Sequence, residues 1–303
     1  MTAAPAIDCQ KLSKRYGGSE TYALRDLTLN VKPGEVYGFL GPNGAGKSTT
    51  IRTLMNFIQP TSGRATILGK DAVTDSVAIK RHVGYLAGDV ALYQKTTGRE
   101  LLDYLFRLQG ASDRAYLRKL EKRFQAEVHK PVGSLSKGNR QKLGLIQAFM
   151  HQPEVLILDE PSAGLDPLMQ EAFYETLAEV RDRGVAILMS SHNLAEAQRV
   201  SDRVGIIKRG KLIHEQSISG SNDLGKPVFR VLLSRPADLP KLRQAPGLKF
   251  LSKEGEATAL VQAAGTVAEA LKSLSQFDIR EFTTEQLNLE DEFIEFYGGR
   301  DDS

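Results

Sequence analysis

A single cysteine, Cys9, in a chain of 303 residues leaves no partner for an internal disulfide and fits a reducing compartment. Nor does any stretch approach the roughly 20 apolar residues that a membrane-spanning helix requires. The longest apolar runs, 155–158 and 185–189, have the length of buried parallel strands. Residues 1–10 lack the basic start and apolar core of a secretory signal. Work at a membrane is therefore expected to come through a partner. Charge of one sign is scarce as well. The 40 Lys and Arg against 37 Asp and Glu give a net +3, which offers no electrostatic footprint for nucleic acid. Internal repeats and low-complexity tracts are absent. What remains is ordinary globular composition, 41% hydrophobic and 25% charged, in a length that fits one large α/β domain and a smaller one.

Strand patterns occur at 6–14, 27–31, 35–40, 64–68 and 83–86. Residues 98–150 then read as mainly helical, with Leu101, Leu102, Leu105, Phe106 and Leu108 on a 3.6 period. A strand at 155–159, a helix at 167–183, a strand at 185–190 and a helix at 193–201 follow. Alternation of this kind predicts a parallel sheet, with the helical block, about 90–150, as a lobe beside it. A hairpin, 204–208 and 211–214 around Arg209-Gly210, closes a first domain at 1–216. The polar, glycine-bearing stretch 217–226 reads as a linker. Strands at 228–233, 248–251, 257–261 and 278–282, with helices at 239–244, 266–274 and 288–296, predict a small α+β domain over 227–303. Residues 221–303 hold 14 acidic against 10 basic side chains, so this domain is acidic while the rest of the chain is basic.

The chemistry is concentrated in Gly41-Pro42-Asn43-Gly44-Ala45-Gly46-Lys47-Ser48, which fits the phosphate-loop pattern G-x-x-x-x-G-K-[ST]. A strand runs into it, and a helical pattern (Thr50, Ile51, Leu54, Met55, Ile58) runs out. Glycines let backbone N–H groups converge on phosphate oxygens, and the helix start adds the positive end of a dipole. Lys47 is placed to reach the β- and γ-phosphates of a bound nucleotide, and Ser48 to ligate Mg²⁺. Asp159 ends an apolar strand and is expected to hold Mg²⁺ through water. Glu160, one residue on, is the candidate general base for an attacking water.

With these residues in view, residues 7–216 resemble the ATP-binding subunit of an ABC transporter. Gly41–Thr49 is similar to that family's phosphate loop, Leu135-Ser136-Lys137-Gly138-Asn139 to its signature motif, and Val155–Glu160 to its second nucleotide motif. Ser162-Ala163-Gly164-Leu165-Asp166 resembles the loop that crosses a dimer interface, Ser190-Ser191-His192 the switch histidine, and Tyr16 the aromatic that stacks on adenine. The resemblance implies an α/β P-loop NTPase with a mixed sheet, a helical subdomain and a small α+β carboxy-terminal domain.

It further implies that Ser136 and Gly138 of one subunit donate to the γ-phosphate held by Gly44–Ser48 of a second, with His192 keeping Glu160 and the water in line. The implied cofactors are ATP and Mg²⁺. The implied partners are a second ATP-binding subunit and a separate permease, with the chain peripheral on the cytoplasmic face of a membrane. The carboxy-terminal domain, through Leu289-Glu290-Asp291-Glu292-Phe293, resembles appendages on ATPases of drug, antibiotic or polysaccharide exporters.

Two positions depart from the family pattern. The signature reads Leu-Ser-Lys-Gly-Asn rather than Leu-Ser-Gly-Gly-Gln, keeping Ser136 and the second glycine. The family's usual glutamine after Gly-Tyr-Leu-Pro is replaced in Gly84-Tyr85-Leu86-Ala87-Gly88-Asp89; Gly88 cannot ligate Mg²⁺ or position water, and neighbouring Asp89 is a further candidate for that role. A soluble ABC ATPase acting on ribosomes or DNA is the alternative class. A single phosphate loop and the lack of a heptad-rich insertion argue against it. A non-hydrolysing regulatory binder is the third class, and Glu160 and His192 argue against that.

Overall fold

The computed structural model describes residues 4–18, 20–90, 92–218 and 227–285. The chain divides into two units, Met1–Ser219 and Gly220–Ser303. In the first, β1 (Ile7–Arg15), β2 (Tyr22–Val31), β3 (Val36–Leu40), α1 (Lys47–Leu54), β4 (Ser62–Ile67), β5 (Lys70–Asp71), α2 (Ser76–Lys80) and β6 (Val83–Leu86) lead to the helical lobe. That lobe contains α3 (Gly98–Leu108), α4 (Arg114–Phe124) and α5 (Lys137–Phe149). The unit continues with β7 (Val155–Asp159), α6 (Pro167–Asp182), β8 (Ala186–Ser191), α7 (Leu194–Val200), β9 (Arg203–Lys208) and β10 (Lys211–Ser217).

Two sheets form rather than one. The larger has the order β10-β9-β3-β8-β7-β6, parallel except at β10. Strands β3, β7 and β8 are buried along their whole length, which is why they read as unbroken apolar runs with no polar face. The smaller sheet, β2-β1-β4-β5, is antiparallel. The sequence alternation placed 6–14, 27–31 and 64–68 with the parallel strands. Only six residues lie between β1 and β2, too few for a crossover helix, so the pair folds as a hairpin instead. β2 starts five residues earlier than its apolar pattern suggested. Asp26, at φ +51, interrupts the alternation, and its backbone N–H is satisfied by the Ser13 hydroxyl at 2.9 Å.

The lobe's helices have the caps their sequences call for. Thr97 and Glu100 form a reciprocal capping box on α3, Asp113 caps α4, and Ser136 caps α5. Leu101, Leu102 and Phe106 enter the core, whereas Leu108, the last residue of the predicted stripe, stays exposed. Arg99 clamps α3 to α4 with two bonds to Glu121 at 2.6 and 2.7 Å. Arg123 fixes α4 to α6 through Thr176 and Glu179, and this pairing pulls the Glu179 carboxyl down to about 2. Cys9 is fully buried in β1, and burial pushes its thiol up to about 12, so it is an inert packing residue.

The second unit runs β11 (Val228–Leu233), α8 (Leu239–Arg243), β12 (Leu248–Lys253), β13 (Thr258–Ala263), α9 (Val267–Leu274) and β14 (Ile279–Glu285). Its antiparallel sheet has the order β12-β13-β11-β14, the split βαβ arrangement of ferredoxin-like domains. Phe229, Val231, Val261, Leu242 and Leu274 form its core. The predicted helix at 288–296 and most of the stretch 217–226 lie outside the described residues. No helix among the described residues is long and apolar enough to cross a membrane.

Candidate active site

Three neighbouring parallel strands end at the same edge of the larger sheet. β3 delivers the glycine loop, β7 delivers Asp159, and β8 delivers His192, which follows its last residue. Ligands of open α/β sheets bind at such carboxyl ends. The loop leads straight into α1, whose N-cap is Gly46 at φ +117, with no side chain capping the first turn. A side chain at residue 46 would be strained at that φ, and a Cβ there would come within 2.8 Å of the Ala23 carbonyl. The helix start therefore keeps N–H groups available for an anion.

Lys47 is 6% exposed and donates to the Gly41 carbonyl at 2.5 Å, and its ammonium lies 3.3 Å from Glu160 Oε1. The other oxygen of Glu160, Oε2, is 2.7 Å from His192 Nδ1. Glu160 is thus held between a buried cation and a histidine that is 65% exposed. Its own backbone is left-handed at φ +49, which turns the residue out of the line of β7. Asp159, 5% exposed, accepts from the Ser190 hydroxyl at 2.5 Å. Burial, and then the Asp159 charge, push the Tyr85 hydroxyl up, against a smaller pull from Arg52. That phenol stays protonated at neutral pH.

Tyr16 lies beside the same loop. It is 43% exposed, its hydroxyl is 3.5 Å from Thr49 Oγ1 in the first turn of α1, and the Lys14 ammonium lies over its ring, 5.5 Å from the centroid. Among the described residues no cluster of three or more His, Cys, Asp or Glu could cage a metal. Magnesium asks for less, since one or two carboxylates, phosphate oxygens and water suffice. Ser48, in the first turn of α1, and Asp159, at the end of β7, supply a hydroxyl and a carboxylate of the kind that demand names, and the two elements pack against each other.

The remaining predicted site residues stand apart from this group. Among the described residues no hydrogen bond joins Ser136 or Gly138 to residues 41–49. Ser136 caps α5, accepting from the Asn139 N–H at 3.2 Å, and is exposed. Gly138 packs so tightly on the loop after β7 that a Cβ would lie 2.6 Å from the Gly164 carbonyl. Asp89 is exposed, and no hydrogen bond links it to Asp159 or Ser48 among the described residues. It is Gly88 that faces the carboxylate, with a Cβ position 3.2 Å from Asp159 Oδ2.

Two contributors carry no motif of their own. Ser190 bonds both acidic residues, and the buried Gln141 donates to the carbonyls of Glu160 and Pro161 at 3.3 and 2.9 Å. Ser190's only sequence signal is its place two residues before His192. Gln141 has none, because a polar residue on a helix reads as solvent-facing.

A glycine loop fed by a strand, a lysine beside an Asp-Glu pair and a histidine on the glutamate define a P-loop nucleoside-triphosphate hydrolase. The family model for ABC transporters matches residues 24–163, and the Bacillus licheniformis bacitracin transport ATP-binding protein BcrA is 39% identical over 212 residues, 69% of each chain. The chain belongs to the ATP-binding subunits of ABC transporters, and it is an ATPase. It is also 36% identical over 212 residues to the Escherichia coli protein YbhF, described as a probable multidrug ABC transporter ATP-binding protein. That match covers 68% of this chain and 36% of YbhF, so the chain spans about a third of that relative's length. A solved ATP-binding subunit of an ABC transporter superposes with a TM-score of 0.66 at 31% identity, covering 70% of this chain and 90% of the other.

Proposed function

We propose that the chain powers an exporter as one of two ATP-binding subunits that close on ATP and part after hydrolysis. One observation carries this reading: Glu160 is held between Lys47 and His192, while Ser136 is exposed and, among the described residues, neither it nor Gly138 hydrogen-bonds to residues 41–49. A base poised at one edge and a signature serine exposed elsewhere make sense if each ATP lies between two chains. The loop at Gly41–Thr49 and the start of α1 bind the phosphates, and Tyr16 stacks on adenine. Lys47 exchanges its contact with Glu160 for the γ-phosphate, which leaves Glu160 and His192 to orient water. Ser48 and Asp159 hold Mg²⁺, which neutralises charge on the phosphate oxygens when bound. ATP bound by both chains favours the closed pair, a ligand-biased two-state element.

The export direction is supported by the multidrug and bacitracin descriptions of the relatives YbhF and BcrA. A permease partner and a place on the cytoplasmic face follow from the same reading. The divisions at 1–216, 217–226 and 227–303 are proposed as an ATPase domain, a linker and an accessory domain. Affinity purification of the tagged chain from detergent-solubilised membranes tests the transport reading. A hydrophobic multispanning protein is expected to co-purify in a stable complex. Recovery with ribosomes or DNA alone would overturn it.

A further inference from the structure

Asp159 and Ser190 are direct partners in the ladder between β7 and β8. Ser190 is fully buried, and its hydroxyl does two things at once. It donates to Asp159 Oδ1 at 2.5 Å, and it accepts the backbone N–H of Glu160 at 3.1 Å. The Ser190 carbonyl shares that same N–H at 3.3 Å. A single oxygen therefore joins the carboxylate of one acidic residue to the backbone of the next.

Both joined groups need a constraint. A carboxylate at the end of a strand has a soft terminal torsion, so its orientation comes from its hydrogen bonds. Glu160 sits at φ +49, a strained conformation for a non-glycine residue that persists only where neighbours hold it. A Cβ at residue 88 would lie 3.2 Å from Oδ2 and 3.3 Å from Cγ of Asp159, so glycine there keeps space beside the other carboxylate oxygen. Ser190 thus orients the carboxylate through Oδ1, while glycine at residue 88 leaves room beside Oδ2, and neither residue belongs to the phosphate loop or the Asp-Glu pair.

We infer that Ser190 is a positioning residue whose hydroxyl orients Asp159, through Oδ1, for a divalent cation and holds Glu160 in its left-handed turn, so that metal use and water activation are set together. This rests on the Mg²⁺-dependent ATPase reading proposed for the chain. Outer partners of metal-binding carboxylates typically contribute about 10–100-fold to metal affinity.

The test uses the full chain carrying Ser190→Ala, Ser190→Thr or Ser190→Cys. Mn²⁺ binding to the ATP complex is followed by electron paramagnetic resonance in a Glu160→Gln background. The Mg²⁺ concentration for half-maximal ATPase is measured in the Glu160 background, and ATP affinity is measured in EDTA. Ser190→Ala is expected to weaken Mn²⁺ binding and raise the Mg²⁺ requirement by about tenfold, with metal-free ATP affinity unchanged. Ser190→Thr, which keeps the hydroxyl, is expected to stay within about threefold of the parent on both scales. Where Ser190→Ala does not fold, Ser190→Cys keeps the size, weakens the donor and carries the same expectation. Parental Mn²⁺ affinity in the folded alanine or cysteine chain would overturn the inference. So would a folded Ser190→Thr chain as impaired as Ser190→Ala, because packing and not the hydroxyl would then be at issue. If the parent itself neither hydrolyses ATP nor binds Mn²⁺ with ATP, the ATPase reading is what fails.

Discussion

Glu160→Gln is expected to lower ATP turnover by about 10²–10⁴-fold while leaving ATP affinity within a few-fold of the parent. The substitution keeps the size of a side chain whose two oxygens lie 3.3 Å from Lys47 Nζ and 2.7 Å from His192 Nδ1. The turn at φ +49 is held by backbone and hydroxyl contacts to Ser190, which the amide does not disturb. What disappears is the carboxylate that accepts a proton from water. Lys47 also loses a competing anion, so a γ-phosphate meets a freer ammonium. The variant should therefore accumulate as an ATP-bound dimer, seen as a shift in sedimentation velocity that the parent shows only transiently. Equal hydrolysis by variant and parent would mean that Glu160 is not the base.

Gly138→Val is expected to reduce hydrolysis by about 10²-fold, the scale lost when one preorganised donor to a developing charge is removed. Binding of a fluorescent ATP analogue to the single chain should be unchanged, because residues 41–49 make no hydrogen bond to Gly138 among the described residues. The mechanism is steric first. A Cβ at residue 138 would sit 2.6 Å from the Gly164 carbonyl, so the start of α5 and the 162–166 loop must separate. Gln141, one turn along α5, also bonds the carbonyls of Glu160 and Pro161, so the displacement reaches the base of the same chain. The ATP-stabilised dimer of the Glu160→Gln background should be lost in the double variant. Retention of both turnover and dimer would remove Gly138 from the site.

The sequence revealed most where chemistry is local. The phosphate loop, Asp159-Glu160 and His192 each follow an apolar strand, and that pattern needs no knowledge of which strands are neighbours. Whatever depends on register stayed hidden. Ser190 faces Asp159 only because β7 and β8 pair with those two residues opposite each other, and Ser190 looks like any serine ending a strand. The division into two sheets was obscured because β1 and β2 are bulged and Asp26 breaks the alternation of β2. β5 and α2, at two and five residues, are too short to give a period. The Gly88 substitution was visible as a missing glutamine. Its close approach to Asp159 was not, since that follows from how the chain turns after β6.

Mixing two inactive chains is the most direct measurement of whether the site is shared. Lys47→Ala removes the ammonium that meets the γ-phosphate, and Ser136→Arg blocks the exposed signature serine; each chain alone is expected to be inactive. In a mixed pair, one site combines both defects and the other combines the intact phosphate loop of the Ser136→Arg chain with the intact signature of the Lys47→Ala chain. Equal mixing should restore up to about a quarter of parental turnover, because random pairing makes half the dimers mixed and each holds one intact site. No recovery at any ratio, with both chains folded and able to pair, would contradict the shared site.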